Sequence, residues 1–207
     1  MNLLHVLANP KPSAESASKQ VTEAFLGALG NDIQVTTLDL NESPPPFYSY
    51  PVYRYFWYPV FQPGYEPAEE EKKAAQYAVR EGTRLTEADI LVLTTPMWNF
   101  SVPAILKAWM DQVVSPGLTF SLGPGGVKPL HKLKKVIVLA ASGGAYESND
   151  ERDNFSSQIK TLFGFIGVPD IEIAWADGQN GFFFQDSEER KAKAIASAKS
   201  LAEKILA

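Results

Sequence analysis

The sequence predicts an α/β fold in which a doubly wound, five-stranded parallel sheet lies between two layers of helices. Five short segments have the apolar pattern of strands, and each is followed further along the chain by a stretch with helical periodicity. The length of 207 residues suits one domain. Because regular strand–helix alternation requires crossover connections, the strands should run parallel with both faces covered. We therefore expect residues 1–207 to form a single three-layer domain.

The predicted strands lie at residues 3–8, 33–40, 89–94, 135–141 and 171–176. The third and fourth contain continuous aliphatic runs, whereas residues 33–40 alternate apolar and polar side chains, as a half-exposed strand would. The predicted helices share apolar positions at three- and four-residue spacing and lie at residues 17–29, 68–85, 103–113, 155–166 and 187–206. Gly30 and Gly167 mark two helix ends, and Pro103 suits a helix start. Five strands at this length fit the flavodoxin-like order 2-1-3-4-5, and the glycine fingerprint of a dinucleotide fold is absent after the first strand.

Composition excludes several classes of protein. The net charge of −5 and a pI near 5.1 leave no basic stripe for nucleic acid. The absence of cysteine excludes disulfides and thiolate chemistry, and two histidines cannot build a multi-histidine metal centre. No segment approaches the ~20 apolar residues that span a bilayer, and no signal-peptide pattern precedes the first strand. These features predict a cytoplasmic protein that binds neither nucleic acid nor a metal.

One segment, residues 42–67, does not fit the alternation. It is rich in proline and aromatic residues, most densely at residues 44–61. We interpret it as a long ordered loop, because disordered segments are poor in aromatic residues. Two roles remain open at this point: a lid over a substrate pocket, or a surface buried against a partner subunit.

Three loops should meet at one edge of the sheet, because parallel strands end together at the switch point. The first loop leads into a helix N-terminus with a serine cluster, which suits a phosphate. The second joins a thioether, two aromatic rings and an amide, and the third contains paired glycines that permit close backbone approach. The candidate residues in these loops are Ser16, Ala17, Ser18, Pro96, Met97, Trp98, Asn99, Phe100, Ala141, Ser142, Gly143 and Gly144. In this order the loops predict a flavin mononucleotide (FMN) site.

The same motifs resemble the FMN-dependent NAD(P)H azoreductase and quinone reductase family of flavodoxin-like flavoproteins. The likeness covers nearly the whole chain. Its most specific part is the run 96–100 with 102–107, and further matches are Ser16–Ser18, Gly117–Phe120, Ala141–Gly144 and Gly164–Gly167. The chain departs from the family pattern at Ser142, where the family has arginine, at Ser115–Pro116 and at Pro10.

The resemblance implies an oxidoreductase that passes two electrons from NADH or NADPH to quinone or azo-type acceptors by ping-pong exchange on FMN. It implies a homodimer with active sites at the subunit boundary. No dedicated acid or base is required, although Asn99 and Tyr146 are candidates to assist. The alternative functions are a non-enzymatic flavodoxin-like electron carrier and a flavin-binding module.

Structural interpretations compete with functional ones for three single residues and one pair of residues. Ser16 is also a good helix N-cap, and Tyr146 can be a solvent-facing loop residue. His5 lies in the first strand and is interpreted as a hydrogen-bonded core residue. Lys107 and Asp111 are four residues apart on one helix, which predicts a surface ion pair.

Overall fold

A five-stranded parallel sheet forms the centre of the molecule in the computed structural model, which describes residues 1–147 and 150–206. Counted along the chain, its five strands follow the order 2-1-3-4-5, which confirms the predicted fold class and strand order. The strands are β1 (Asn2–Leu7), β2 (Gln34–Asp39), β3 (Ile90–Pro96), β6 (Lys135–Ala141) and β7 (Ile171–Ala176). All residues of the central strand β3 are buried, as expected for a strand covered on both faces.

Helices cover both faces of the sheet. The helices are α1 (Ala17–Gly27), α2 (Tyr50–Phe61), α3 (Glu69–Ala74), α4 (Gln76–Thr86), α5 (Ala104–Val113), α6 (Asn154–Phe165) and α7 (Ser187–Leu206). One core cluster joins α1 and α7 to the sheet, and a second joins α4, α5 and α6 to the opposite face. In the described part of the chain, no helix is long and apolar enough to cross a bilayer.

The prediction of a continuous helix over residues 68–85 is wrong, because the helix is interrupted at Ala75. There the backbone has ψ −4°, whereas an α-helix has ψ near −42°. Ala75 and Ala78 are both fully buried against Val52 and Phe56 of α2. The interruption therefore lets α3 and α4 both pack on the aromatic segment, a tertiary requirement that helical periodicity does not reveal.

The interpretation of residues 42–67 as a loop is also wrong, since α2 occupies residues 50–61. Pro51 lies in the first turn, where proline is tolerated, and Val52 and Phe56 share the buried face of this helix. Two further differences are smaller. The first helix ends at Gly27, before the predicted stop at Gly30, and an antiparallel hairpin of β4 (Phe120–Gly123) and β5 (Gly126–Pro129) was not predicted.

Candidate functional site

A cavity of about 550 Å³ lies at the carboxyl edge of the sheet, where the three predicted loops meet. Eight of the candidate residues line it: Ser16, Ala17, Pro96, Met97, Trp98, Ala141, Ser142 and Gly143. Ser18, Asn99, Phe100 and Gly144 lie outside this lining. The volume is in the range typical of small-molecule and cofactor sites. The topology therefore brings together residues that are more than 120 positions apart in sequence.

The first loop forms a polar end of the cavity at the N-terminus of α1. Ser16 caps the helix by accepting the Lys19 N–H at 3.2 Å, so the structural interpretation of Ser16 is confirmed. The buried Asn9 amide donates to the hydroxyls of Ser16 (2.8 Å) and Ser18 (2.9 Å). Ser18 is fully buried, and its hydrogen bond with Asn9 helps to hold the first loop in place. The first N–H groups of α1 remain without intrahelical acceptors and favour an anion.

Charged side chains surround this polar end. The ammonium groups of Lys11 and Lys191 and the carboxylate of Glu15 belong to residues that line the cavity. Lys191 also pairs with Glu188 at 2.8 Å, so that part of its charge is already compensated. The site therefore offers one or two cations to an anionic group next to a helix N-terminus.

The second loop has an unusual backbone. Asn99 and Phe100 both have positive φ, 49° and 66°, a region that non-glycine residues rarely adopt. Backbone hydrogen bonds in both directions between Trp98 and Ser101 close this tight turn. Trp98 lines the cavity, while Asn99 and Phe100 are exposed to solvent beyond it. Two consecutive strained residues at a cavity rim are typical of functional loops.

The third loop carries Ser142, Gly143 and Gly144. Ser142 is buried, and its hydroxyl donates to the Gly144 carbonyl at 2.8 Å and accepts the Trp175 indole N–H at 2.9 Å. Gly143 is exposed to the cavity, and a Cβ added there would meet only the Asn180 Cβ, at an ordinary 3.6 Å. Packing within the protein therefore does not explain why residue 143 lacks a side chain.

A fourth loop, which follows β7, was missed by the sequence analysis. Gln179, Asn180 and Gly181 line the cavity beside the third loop. One signal could have found them, since an Asn–Gly pair follows the last predicted strand at the same edge of the sheet. Next in the chain come Phe182 and Phe183, which are among the most exposed apolar residues of the molecule.

Tyr146 does not line the cavity. Its ring is partly exposed to solvent and stacks on Trp175, with centroids 5.2 Å apart, so the interpretation of a solvent-facing tyrosine holds for only part of the ring. Burial raises the pKa of Tyr146, which disfavours its ionised form. Both residues line a separate cleft of about 580 Å³ between α6 and the edge strand β7.

The two remaining structural interpretations are confirmed. His5 is buried between the hydroxyls of Thr37 (3.2 Å) and Thr94 (2.8 Å), and burial lowers its pKa to about 4. Lys107 pairs with Asp111 at 2.5 Å on the exposed face of α5. None of these residues lines the cavity.

Comparison with known proteins adds the relationship that the geometry suggests. A family model with the flavodoxin-like fold matches residues 1–202. An FMN-dependent NADH:quinone oxidoreductase from Gluconacetobacter diazotrophicus is 33% identical over 204 residues, 96% of each chain. FMN-dependent NADH:quinone oxidoreductase 1 from Bacillus licheniformis is 34% identical over 208 residues, 97% of each chain.

The chain belongs to the FMN-dependent NAD(P)H azoreductase and quinone reductase family. Solved structures agree with this relationship. The azoreductase AzrA superimposes with a TM-score of 0.88 at 29% identity, covering 99% of this chain and all of the other. An azoreductase from Bacillus anthracis superimposes with a TM-score of 0.87 at 29% identity and covers 98% of this chain. The resemblance that rests on the motifs of the three loops is thereby confirmed.

Proposed function

We propose that this chain is an FMN-dependent NAD(P)H oxidoreductase that reduces quinone or azo-type aromatic acceptors by two electrons. The names of its relatives support this reaction, since they are FMN-dependent NADH:quinone oxidoreductases and azoreductases. The single observation that carries the proposal is the cavity of about 550 Å³ at the meeting point of the first three loops. It combines an anion-binding helix end with an apolar and glycine-lined wall.

The residues of the cavity fit FMN. A phosphate suits the N-terminus of α1, where Ser16 and the first helical N–H groups would bind it and Lys11 would balance its charge. A flat ring suits the wall formed by Met97, Trp98 and Gly143, because residue 143 leaves open the space that a Cβ would occupy. This absence of a side chain, which protein packing does not require, is the structural observation that favours a bound group.

When bound, FMN supplies the redox chemistry between a nicotinamide donor and the acceptor. The protein contributes binding, orientation and electrostatics. Backbone N–H groups of the third loop, residues 142–144, which we call the glycine loop, would stabilise negative charge at the edge of the reduced ring. Asn99 and Phe100 lie exposed beyond the cavity and would contact donor or acceptor from outside. Tyr146 is separated from this cavity, so we do not assign it a role in proton transfer.

Anaerobic titration tests the proposal. The purified protein, loaded with FMN, is titrated with NADH and separately with NADPH while the flavin absorbance is followed, and a quinone is then added. We expect bleaching with at least one donor and recovery of the yellow colour with the quinone. If neither donor reduces the bound flavin, the protein is a non-enzymatic electron carrier. If the protein does not bind FMN, a flavin site is excluded altogether.

We also propose that the protein forms a homodimer through the exposed aromatic face of α2. Four residues at spacings of three and four form a stack along this helix, with centroids 5.9–6.4 Å apart and interplanar angles of 14–22°. They are Tyr50, Tyr53, Trp57 and Phe61, and we call them the aromatic ladder. Tyr50 and Phe61 are 61% and 60% exposed. A helix that is apolar on nearly all sides is normally buried, which favours a second copy as its cover.

Light scattering after size-exclusion chromatography tests the dimer. At low micromolar concentration we expect twice the 22.8 kDa of one chain. The double variant Tyr53→Glu/Phe61→Glu should elute as a monomer, because it places charges in the apolar interface. Val79→Glu is the matched control, since Val79 is a similarly exposed apolar residue on α4, outside the ladder. If the wild-type protein is a monomer and fully active, the dimer proposal is wrong. The aromatic ladder would then have the other role, that of a lid over the substrate pocket.

We propose a cytoplasmic location as well. The absence of cysteine is compatible with a reducing compartment. Cell fractionation with an antibody to the protein tests this, and recovery in the periplasmic or extracellular fraction would contradict it.

A further inference from the structure

We infer that Ser142 and Trp175 are positioning residues that set how the glycine loop presents its N–H groups to the bound cofactor. The inference rests on the proposed function, because it concerns the same cavity. It assigns a task to the buried hydroxyl of Ser142, which directly follows β6. It also gives a task to Trp175, which does not line the cavity.

All three carbonyl groups of the glycine loop accept hydrogen bonds from the loop that follows β7. The three consecutive carbonyl oxygens of residues 142–144 each accept an N–H from residues 178–180, at 2.8–3.2 Å. These bonds lie just beyond the last residue pair of β6 and β7, Ala141 and Ala176, and join the two loops that follow those strands. The loop after β7 therefore holds the glycine loop in a single position.

The side chain of Ser142 adds a second restraint. An indole N–H can only donate, so the Ser142 hydroxyl must accept from Trp175 Nε1 at 2.9 Å. The single hydroxyl proton then goes to the Gly144 carbonyl at 2.8 Å. This directional chain runs from Trp175 through Ser142 to the backbone of Gly144, and it closes the turn internally.

Two aromatic rings pack against the indole. The Tyr146 ring stacks on it with centroids 5.2 Å apart and an interplanar angle of 19°. The Phe155 ring, which is fully buried, packs against it at 5.4 Å. Packing within the protein thus holds Trp175 in place as a donor.

The polar groups that the loop has left over are its N–H groups. Among the described residues, no hydrogen bond uses the N–H of Gly143 or Gly144, and Gly143 lines the cavity. Donors held in place act most strongly on a group whose negative charge increases during reaction. Ser142 and Trp175 should therefore favour the reduced over the oxidised cofactor.

The variant Trp175→Phe tests this directly, because it removes the indole N–H and keeps an aromatic ring. Two quantities are measured: the dissociation constant of oxidised FMN by fluorescence, and the midpoint potential of the bound flavin. Loss of one hydrogen bond should reduce the preference for reduced over oxidised flavin about fivefold. For a two-electron couple, this ratio corresponds to a potential lower by ~20 mV. Trp109→Phe is the matched control, since the buried Trp109 Nε1 has no partner among the described residues.

Ser142→Ala supplies an independent variant should Trp175→Phe fold poorly. This substitution removes both the acceptor of the indole N–H and the hydrogen bond to Gly144. The midpoint potential of the bound flavin should therefore fall at least as far as in Trp175→Phe. The midpoint potential of the double variant should be no lower than that of Ser142→Ala alone, because both changes break the same series of hydrogen bonds. If both single variants lose only stability and keep the wild-type potential, the positioning role is wrong. A wild-type protein that binds no FMN would instead refute the proposed function, and this inference with it.

Discussion

The guanidinium carbon of Arg54 lies 4.4 Å from the centroid of the Tyr58 ring, one turn further along α2. The same guanidinium donates to the buried Glu71 and to the Tyr65 hydroxyl, and Tyr65 in turn donates to Glu71. Glu71 also accepts the Ala68 N–H at the start of α3. The hydrogen bond from Arg54 lowers the pKa of Glu71. This cluster is the polar attachment of the aromatic helix to the rest of the protein.

Glu71→Gln should therefore loosen α2, because the amide cannot replace a carboxylate that accepts from three donors. We expect faster chymotrypsin cleavage within residues 50–61 and a lower urea midpoint. Glu69→Gln is the control, since Glu69 belongs to the same turn but forms an exposed pair with Lys72 that contributes little. Equal cleavage of both variants would show that Glu71 does not hold α2.

Acid should destabilise the protein through His5. Burial lowers its pKa to about 4 in the folded protein, against about 6.5 when unfolded. The unfolded state therefore takes up a proton first, and stability falls as the pH drops from about 6.5 towards 4. Between pH 7.5 and pH 5 the free energy of unfolding should decrease by about 2 kcal/mol from this group alone.

Urea unfolding of wild type and His5→Gln at both pH values isolates this effect. Glutamine can hydrogen-bond to Thr37 and Thr94 but does not titrate, so the variant should lose ~2 kcal/mol less on acidification. If the two proteins lose the same stability, another group causes the acid sensitivity.

Gly143→Ala should separate folding from cofactor binding. The added methyl group meets only an ordinary contact with Asn180 at 3.6 Å, so the free energy of unfolding of the apoprotein should change by less than about 0.5 kcal/mol. The same methyl group enters the cavity, and FMN affinity should fall about tenfold or more. Equilibrium unfolding and fluorescence titration measure the two quantities. Gly27→Ala, where the methyl group meets nothing within 4 Å, should leave FMN affinity unchanged.

Gly167→Ala should affect folding rather than the site. Gly167 ends the turn after α6 with φ 97°, and a Cβ there would lie 2.5 Å from the Pro129 ring. Strain and overlap together should cost ~2–3 kcal/mol of unfolding free energy. FMN affinity of the folded fraction should not change, and a stable variant would mean that β5 moves away easily. Backbone conformation and packing thus explain why the last residue of the Gly164–Gly167 motif is glycine.

The local features of this structure could be predicted from the sequence. Strand and helix alternation, the helix start at Pro103 and the serine cap at Ser16 were predicted because hydrophobic periodicity and capping depend on neighbours in the chain. The three loops were predicted to meet because the strand order of a parallel sheet places them at one edge. By these rules the fold and three of the four loops that line the cavity follow from the sequence.

Contacts between distant segments decided the rest. Burial against Val52 and Phe56 interrupts the predicted helix at Ala75, and the Arg54 cluster attaches α2, which was expected to be a loop. The exposed position of Asn99 and Phe100 depends on a strained turn, and the inward position of Ser142 depends on Trp175, 33 residues away. The sequence by itself determined which segments are strands, helices and site loops, because those preferences are local. Only the tertiary structure decided which side chains face the cavity, because that choice depends on hydrogen-bond partners and packing surfaces that folding brings together.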